Sequence, residues 1–249
     1  MRTVLLLVTL LLATPVAATI VIVAALLGAP DREGSVFDRT LRWWAHSLIR
    51  AAGVELVTHG SENIRGAQHI FVANHNSWCD IAALGTVLTR FKFVAKAELR
   101  KVPFLGRGMS AIGSVYIDRG NRTSSIEAMR EAAEKIHGGA SVVVFAEGTR
   151  GTSYALRPFK KGAFLLAIDA QAPIVPVVIH GAIEVLPRGT FRVRAGRVHV
   201  HFLEPVPTVG LTFDNRNALA VTVRDRMAVA LLELYGVQSP PWDPKRQDA

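Results

Sequence analysis

The sequence predicts an α/β fold, a mixed and mostly parallel sheet flanked by helices, behind a hydrophobic N-terminal module. Three observations carry this. From about residue 54, short runs rich in Val, Ile and Phe alternate with helix-like stretches. Most of those runs are too apolar to keep one face wet, which suits a sheet covered on both sides. The first 30 residues carry no charge between Arg2 and Asp31. A chain of 249 residues is long enough for one such domain plus an appendage.

The elements follow in chain order. "TVLLLVTLLLATPVAATIVIVAALLGAP" is long enough to cross a bilayer. "PVAA" has the small residues of a leader cleavage site, but apolar residues continue past it, so the run reads as an uncleaved anchor. Pro15 allows a kink or a re-entrant path. In "SVFDRTLRWWAHSLIRAAG", Phe37, Leu41, Trp44 and Leu48 recur at helical spacing, with Arg39, Arg42, His46 and Arg50 on another face. This is a basic amphipathic helix of the kind that lies in the headgroup layer. The indoles of Trp43 and Trp44 sit at the interface and the arginines meet lipid phosphates. Both helices are therefore read as membrane-associated, with the positive charge placing the following domain on the cytoplasmic face.

Strands are expected at "HIFVAN" (69–74), "FKFVAK" (91–96), "SVYID" (114–118), "SVVVFA" (141–146) and "PIVPVVIH" (173–180). "RTSSIEAMREAAEKIHGG" is a helix with Ser124 and Glu127 as a capping box and Gly138–Gly139 as its stop. Further helices are expected over 159–171 and 213–235, and a hairpin over 191–203. The organisation is an anchor and interfacial helix (1–52), a main domain (53–238) and a loose tail (239–249).

The balance of 29 Lys+Arg against 20 Asp+Glu, a formal +9, favours an anionic partner. No interleaved basic-aromatic sheet supports nucleic acid. With a single cysteine, Cys79, no internal disulfide is possible.

The informative stretch is "FVANHNSWCD" (71–80), where an apolar strand runs into His75, with Asp80 five positions on. Active sites of α/β folds gather at the carboxyl ends of strands. On a continuous helix a five-residue step turns about 500°, so the two side chains would not share a face. They meet if His75 is on the loop leaving the strand and Asp80 is in the first turn of the next helix. The carboxylate then fixes the imidazole tautomer and leaves the other ring nitrogen free to take a proton. A bare His-x4-Asp is more often a loop histidine and a capping aspartate. Three further segments give it company: "GSVYIDR" (113–119), "FAEGTRG" (145–151) and "APIVPVVIHG" (172–181). Ser77 is too local to be taken as a nucleophile, and Cys79 reads as a small helix residue. His199 and His201 share one strand face, but without further ligand spacing they read as strand, not as a metal site.

Together these four blocks resemble the four motifs of the glycerolipid acyltransferases, in particular the bacterial 1-acyl-sn-glycerol-3-phosphate acyltransferases. "FVAKAELRKVPFLG" and "FKKGAF" are also similar, and the resemblance covers roughly residues 55–205. The third motif departs from the family pattern at Ala146 and Gly151, where Pro and Ser are usual. The resemblance implies an O-acyltransferase without cofactor that moves an acyl group from acyl-CoA or acyl-acyl carrier protein to the hydroxyl of a lysolipid phosphate. It implies His75 as general base and Asp80 as its orienting partner. Backbone N–H groups near the helix start would serve the oxyanion. Lys96, Arg119 and Arg150 are implied as phosphate ligands, with Glu147, Gly148 and Thr149 shaping the acceptor site. Other acceptors (a lysophospholipid, a lyso-ornithine lipid) and a His-Asp lipid or thioester hydrolase stay open.

Overall fold

The apolar runs do form a sheet with two dry faces. In the computed structural model, residues 1–66, 68–118 and 120–244 are described. The helices are α1 (Arg2–Leu26), α2 (Val36–Ala52), α3 (Cys79–Val87), α4 (Leu105–Ala111), α5 (Arg122–His137), α6 (Gly162–Ala170), α7 (Ala182–Val185) and α8 (Arg216–Tyr235). The strands are β1 (Val54–His59), β2 (Ile70–Ala73), β3 (Phe91–Lys96), β4 (Val115–Ile117), β5 (Ser141–Phe145), β6 (Ile174–His180) and β7 (Gly196–Phe202).

Among the described residues they make one seven-stranded sheet in the order β1-β7-β6-β2-β5-β3-β4. The five strands from β6 to β4 are mutually parallel, so their carboxyl ends share one edge. β7 runs antiparallel to β6, and β1 pairs parallel with β7. Side chains alternate across the strands. Ile70 and Val72 join a core with α5, α6 and α8, while Phe71 and Ala73 join another with α2 and α3. Burial on both faces is why β2 reads as an unbroken apolar run.

Several expectations are corrected. The hairpin over 191–203 is one strand, β7, whose neighbours β1 and β6 come from distant segments. Helix α5 starts one residue after Asn121, whose side chain accepts the Ser124 N–H at 3.1 Å. That cap replaces the Ser124–Glu127 box. The helix expected over 159–171 is α6, Gly162–Ala170, and α8 begins only after a 3₁₀ turn, Phe213–Asn215.

The tail is not loose up to Pro244. Ser239 Oγ accepts the Leu156 N–H, Pro240 O accepts from Arg224, and Trp242 packs on Phe159 and under the Arg224 guanidinium. An indole burying apolar area offsets the cost of ordering a proline-restricted segment.

Helix α1 runs through Pro15 and folds back along the domain. Thr14 Oγ1 accepts the Trp44 indole N–H at 3.0 Å, and Thr3 Oγ1 accepts the Val193 N–H at 3.0 Å. Gly108 lets α4 approach α1 closely, since a Cβ there would lie 3.1 Å from the Ala18 methyl. Trp44 is thus tied to α1 and half-buried, while Trp43 is exposed. The other face of α1 is uncovered: Val4, Leu7, Leu11, Leu12 and Leu26 stand out from the surface. By length and composition this helix could cross a membrane.

Candidate active site

β2 ends at Ala73 in the middle of the sheet, and the chain leaves it as a short loop into α3. Asn74 fastens the exit to β6. Its Oδ1 accepts the Ile179 N–H at 2.7 Å and its Nδ2 donates to Ile179 O at 2.9 Å. His75 follows on the loop, and Asp80 sits in the first turn of α3. His75 Nδ1 lies 2.8 Å from Asp80 Oδ2. The same oxygen accepts the N–H groups of Asn76 (2.7 Å) and Ser77 (2.8 Å). One buried carboxylate therefore shapes the loop and holds the imidazole. An Nδ1–H donated to Asp80 leaves the Nε2 lone pair available. The ring also stacks on Phe145, with centroids 3.9 Å apart and planes inclined by 19°.

The loop after β5 supports the histidine from the other side. Glu147, buried, accepts the His75 N–H on Oε1 at 3.0 Å. Gly148 turns the chain with φ 77°, a conformation side-chain-bearing residues rarely adopt. Gly151 N–H donates to His75 O at 2.7 Å. A Cβ at Gly151 would lie 2.9 Å from the Asn76 amide nitrogen, so the departure from Ser fits this chain's packing.

Arg157, outside every motif, was not expected. Its Nε donates to Glu147 Oε2 at 3.0 Å, and its Nη2 donates to the Thr149 carbonyl. The Arg150 guanidinium lies over the Trp78 ring, 4.6 Å from its centroid. Arg188 is a second addition, donating to Arg150 O at 2.6 Å. Burial, and next the neighbouring Arg188, pull the Arg150 guanidinium below its ordinary pKa, while Asp80 opposes them. Two positive charges close enough to repel each other favour an anion nearby. Only a contact map could reveal Arg157 and Arg188 here, because no local pattern marks them.

The structure thus brings together His75, Asp80, Glu147, Gly148, Thr149 and Arg150. Lys96 stands on the same sheet edge, at the end of β3, where its ammonium pairs with Glu98 at 2.6 Å. Arg119 lies outside the described residues.

The local nucleophile candidates are committed elsewhere. Ser77 Oγ is fully buried and donates to Leu186 O at 2.7 Å. Burial pushes the Cys79 thiol up to about 12, so it stays protonated near neutral pH. The expected oxyanion donors at the helix start are also engaged. Asn76 and Ser77 donate to Asp80, Cys79 to Ser77 Oγ, and Asp80 to Ser77 O.

Known proteins share this arrangement of segments. The family model described as Acyltransferase matches residues 55–180, a span that holds the His75, Glu147 and "PIVPVVI" segments. The chain is 34% identical over 199 residues to a 1-acyl-sn-glycerol-3-phosphate acyltransferase of Saccharomyces cerevisiae, covering 78% of this chain and 66% of that one. It is 37% identical over 180 residues to the Homo sapiens 1-acyl-sn-glycerol-3-phosphate acyltransferase alpha, covering 69% and 64%. The crystal structure of the 1-acyl-sn-glycerophosphate acyltransferase from Thermotoga maritima matches with a TM-score of 0.75 at 27% identity, over 96% of this chain and 100% of that one. Matches to the curated relatives span 53% to 66% of those proteins' own length. With the family model matching half the chain, and the His75–Asp80 pair at the sheet edge inside that match, this chain belongs to the acyltransferase family.

Proposed function

We propose that the protein transfers a fatty acyl group from an acyl thioester to the free hydroxyl of 1-acyl-sn-glycerol-3-phosphate, giving phosphatidic acid. The observation that carries this is the His75–Asp80 pair: Nδ1 is held at 2.8 Å, while Ser77 and Cys79 are both buried and committed elsewhere. A base without a protein nucleophile suits direct attack by the acceptor. His75 Nε2 takes the hydroxyl proton as the oxygen attacks the thioester carbonyl, and Asp80 stabilises the imidazolium. The C–S bond then breaks, the ester remains on the acceptor, and the departing thiolate takes the proton from His75. The donor is acyl-CoA or acyl-acyl carrier protein.

In this reading Arg150 and Arg188 receive the acceptor phosphate, with Lys96 and Arg119 as further ligands. Glu147, Gly148 and Thr149 keep the Arg150 loop against His75. Arg150→Ala is expected to raise KM for the acceptor by about 10–100-fold, the worth of one charged hydrogen-bonding pair. KM for the donor should stay within about threefold. Steady-state kinetics with each substrate varied in turn makes the check, and an unchanged acceptor KM removes the role.

Residues 1–52 serve as the membrane module, 53–238 as the catalytic domain and 239–249 as its tail. The uncovered apolar face of α1 enters the bilayer, and the exposed Arg39, Arg42, His46 and Arg50 of α2 face anionic headgroups on the cytoplasmic side. The acceptor's acyl chain then stays in lipid while its headgroup reaches the sheet edge. Leu11→Asp with Leu12→Asp, both on the uncovered face, should cut co-sedimentation with anionic vesicles at least tenfold. Retained co-sedimentation would show that α1 is not what binds the bilayer.

The function is tested by offering purified protein a labelled thioester with a panel of lysolipids. Phosphatidic acid formed preferentially from 1-acyl-sn-glycerol-3-phosphate supports it. A preference for a zwitterionic lysophospholipid or a lyso-ornithine lipid overturns the acceptor assignment.

A further inference from the structure

Across the sheet from His75 lies a group of histidines that the proposed reaction does not use. Along β7, Val198, Val200 and Phe202 pack with α2 and α3, so His199 and His201 point to the face that α8 covers. The parallel register sets His59 of β1 opposite His201, on that same face. The sequence offered His199 and His201 as a bare pair; the missing third residue is 140 positions from His199 and becomes a neighbour only through strand pairing.

We propose that His59, His199 and His201 form a binding site for a divalent transition metal, zinc by the chemistry of its donors. One ring nitrogen from each of the three lies within 4.8 Å of the others. His59 Nε2 and His199 Nδ1 are 3.2 Å apart. A tetrahedral zinc with bonds of about 2.0–2.1 Å sets neighbouring ligand nitrogens roughly 3.3–3.4 Å apart, so this pair already spans one edge. A side-chain shift of roughly 1–1.5 Å brings in the third. The fourth position is left for water.

The His201 ring stacks on His59, with centroids 4.2 Å apart and planes within 6°, so one ring must turn along with that shift before both nitrogens face one ion. The Tyr235 hydroxyl of α8 lies 2.6 Å from His201 Nε2. With Nε2–H donated to that hydroxyl, the Nδ1 lone pair is the one left for a metal, the outer-partner arrangement that fixes a ligand's tautomer. Tyr235 is itself held flat against His180, with centroids 3.7 Å apart and planes within 3°. Three imidazoles without a carboxylate suit zinc, copper or nickel, and do not suit calcium or magnesium. Glu55, the nearby acid, is paired to Arg197 at 3.0 Å. His59 is exposed and His201 buried, so an ion can enter from solvent onto an anchored ligand.

The consequence is mechanical. β1 is an edge strand with one neighbour, and it follows α2 directly. A metal joining His59 to His199 and His201 would clip β1 to β7 and fix the N-terminal helices to the sheet. The proposal stands apart from the acyl-transfer reading.

The test uses the full chain in detergent, without a histidine tag, stripped with chelator and titrated with Zn²⁺ alone. Expected are one zinc per chain with Kd below about 10 μM and a Tm that rises with zinc. His59→Ala and His199→Ala should each weaken binding at least tenfold with unchanged circular dichroism, and Tyr235→Phe about tenfold. Absence of stoichiometric binding, or wild-type affinity in both histidine variants, overturns the proposal. So does zinc lost in His75→Ala and kept in His59→Ala, which would place the ion at the catalytic pair.

Discussion

His75→Ala lowers the acyl-transfer rate by about 10²–10⁴-fold, the usual worth of a positioned general base. The fold should survive. The ring stacks on Phe145 and hydrogen-bonds to Asp80, and the backbone bonds to Glu147 and Gly151 do not need it. Vesicle binding should also be unchanged, because α1 and the basic face of α2 are untouched. Circular dichroism, co-sedimentation and kcat on one preparation separate these effects. Loss of kcat with the other two intact is the expected pattern. A variant within about tenfold of wild type would leave His75 as a structural loop residue.

Asp80→Asn should be nearly as damaging, by about 10³–10⁴-fold in kcat, for a different reason. Asp80 Oδ2 accepts from three donors at once: the imidazole and the N–H groups of Asn76 and Ser77. An asparagine oxygen turned toward them keeps much of the loop but removes the negative charge that stabilises the imidazolium. An asparagine NH₂ turned toward them sets donors against donors. The first outcome costs activity alone; the second also costs about 1–3 kcal/mol of stability through unsatisfied buried groups. Measuring kcat and Tm together distinguishes the two. Full activity would mean that Asp80 only braces the loop.

The sequence made the central strands and the His75–Asp80 pair readable because both are local. β2, β5 and β6 are buried on both faces and show as unbroken apolar runs. His75 and Asp80 are joined by one short loop. What failed to show is non-local or sits at an edge. β1 carries Glu55, Thr58 and His59 among its apolar residues, because an edge strand is only half covered. The stretch 191–203 reads as a hairpin, but only Gly196–Phe202 is a strand, and its partners are the distant β1 and β6. Arg157 and Arg188 act on Glu147 and Arg150 from segments without a motif. Trp44 shows the limit of helical spacing: it marks an apolar face, but the spacing does not reveal that Thr14 of α1 accepts its indole N–H.

The most direct measurement follows thiol release and ester formation together, with wild type and His75→Ala, on an acyl thioester and 1-acyl-sn-glycerol-3-phosphate. The account predicts one phosphatidic acid for each thiol released, no thiol release without acceptor, and both signals lost in the variant. Thiol released without acceptor, with free fatty acid as the product, would contradict direct transfer and make the His75–Asp80 pair the base of a hydrolase.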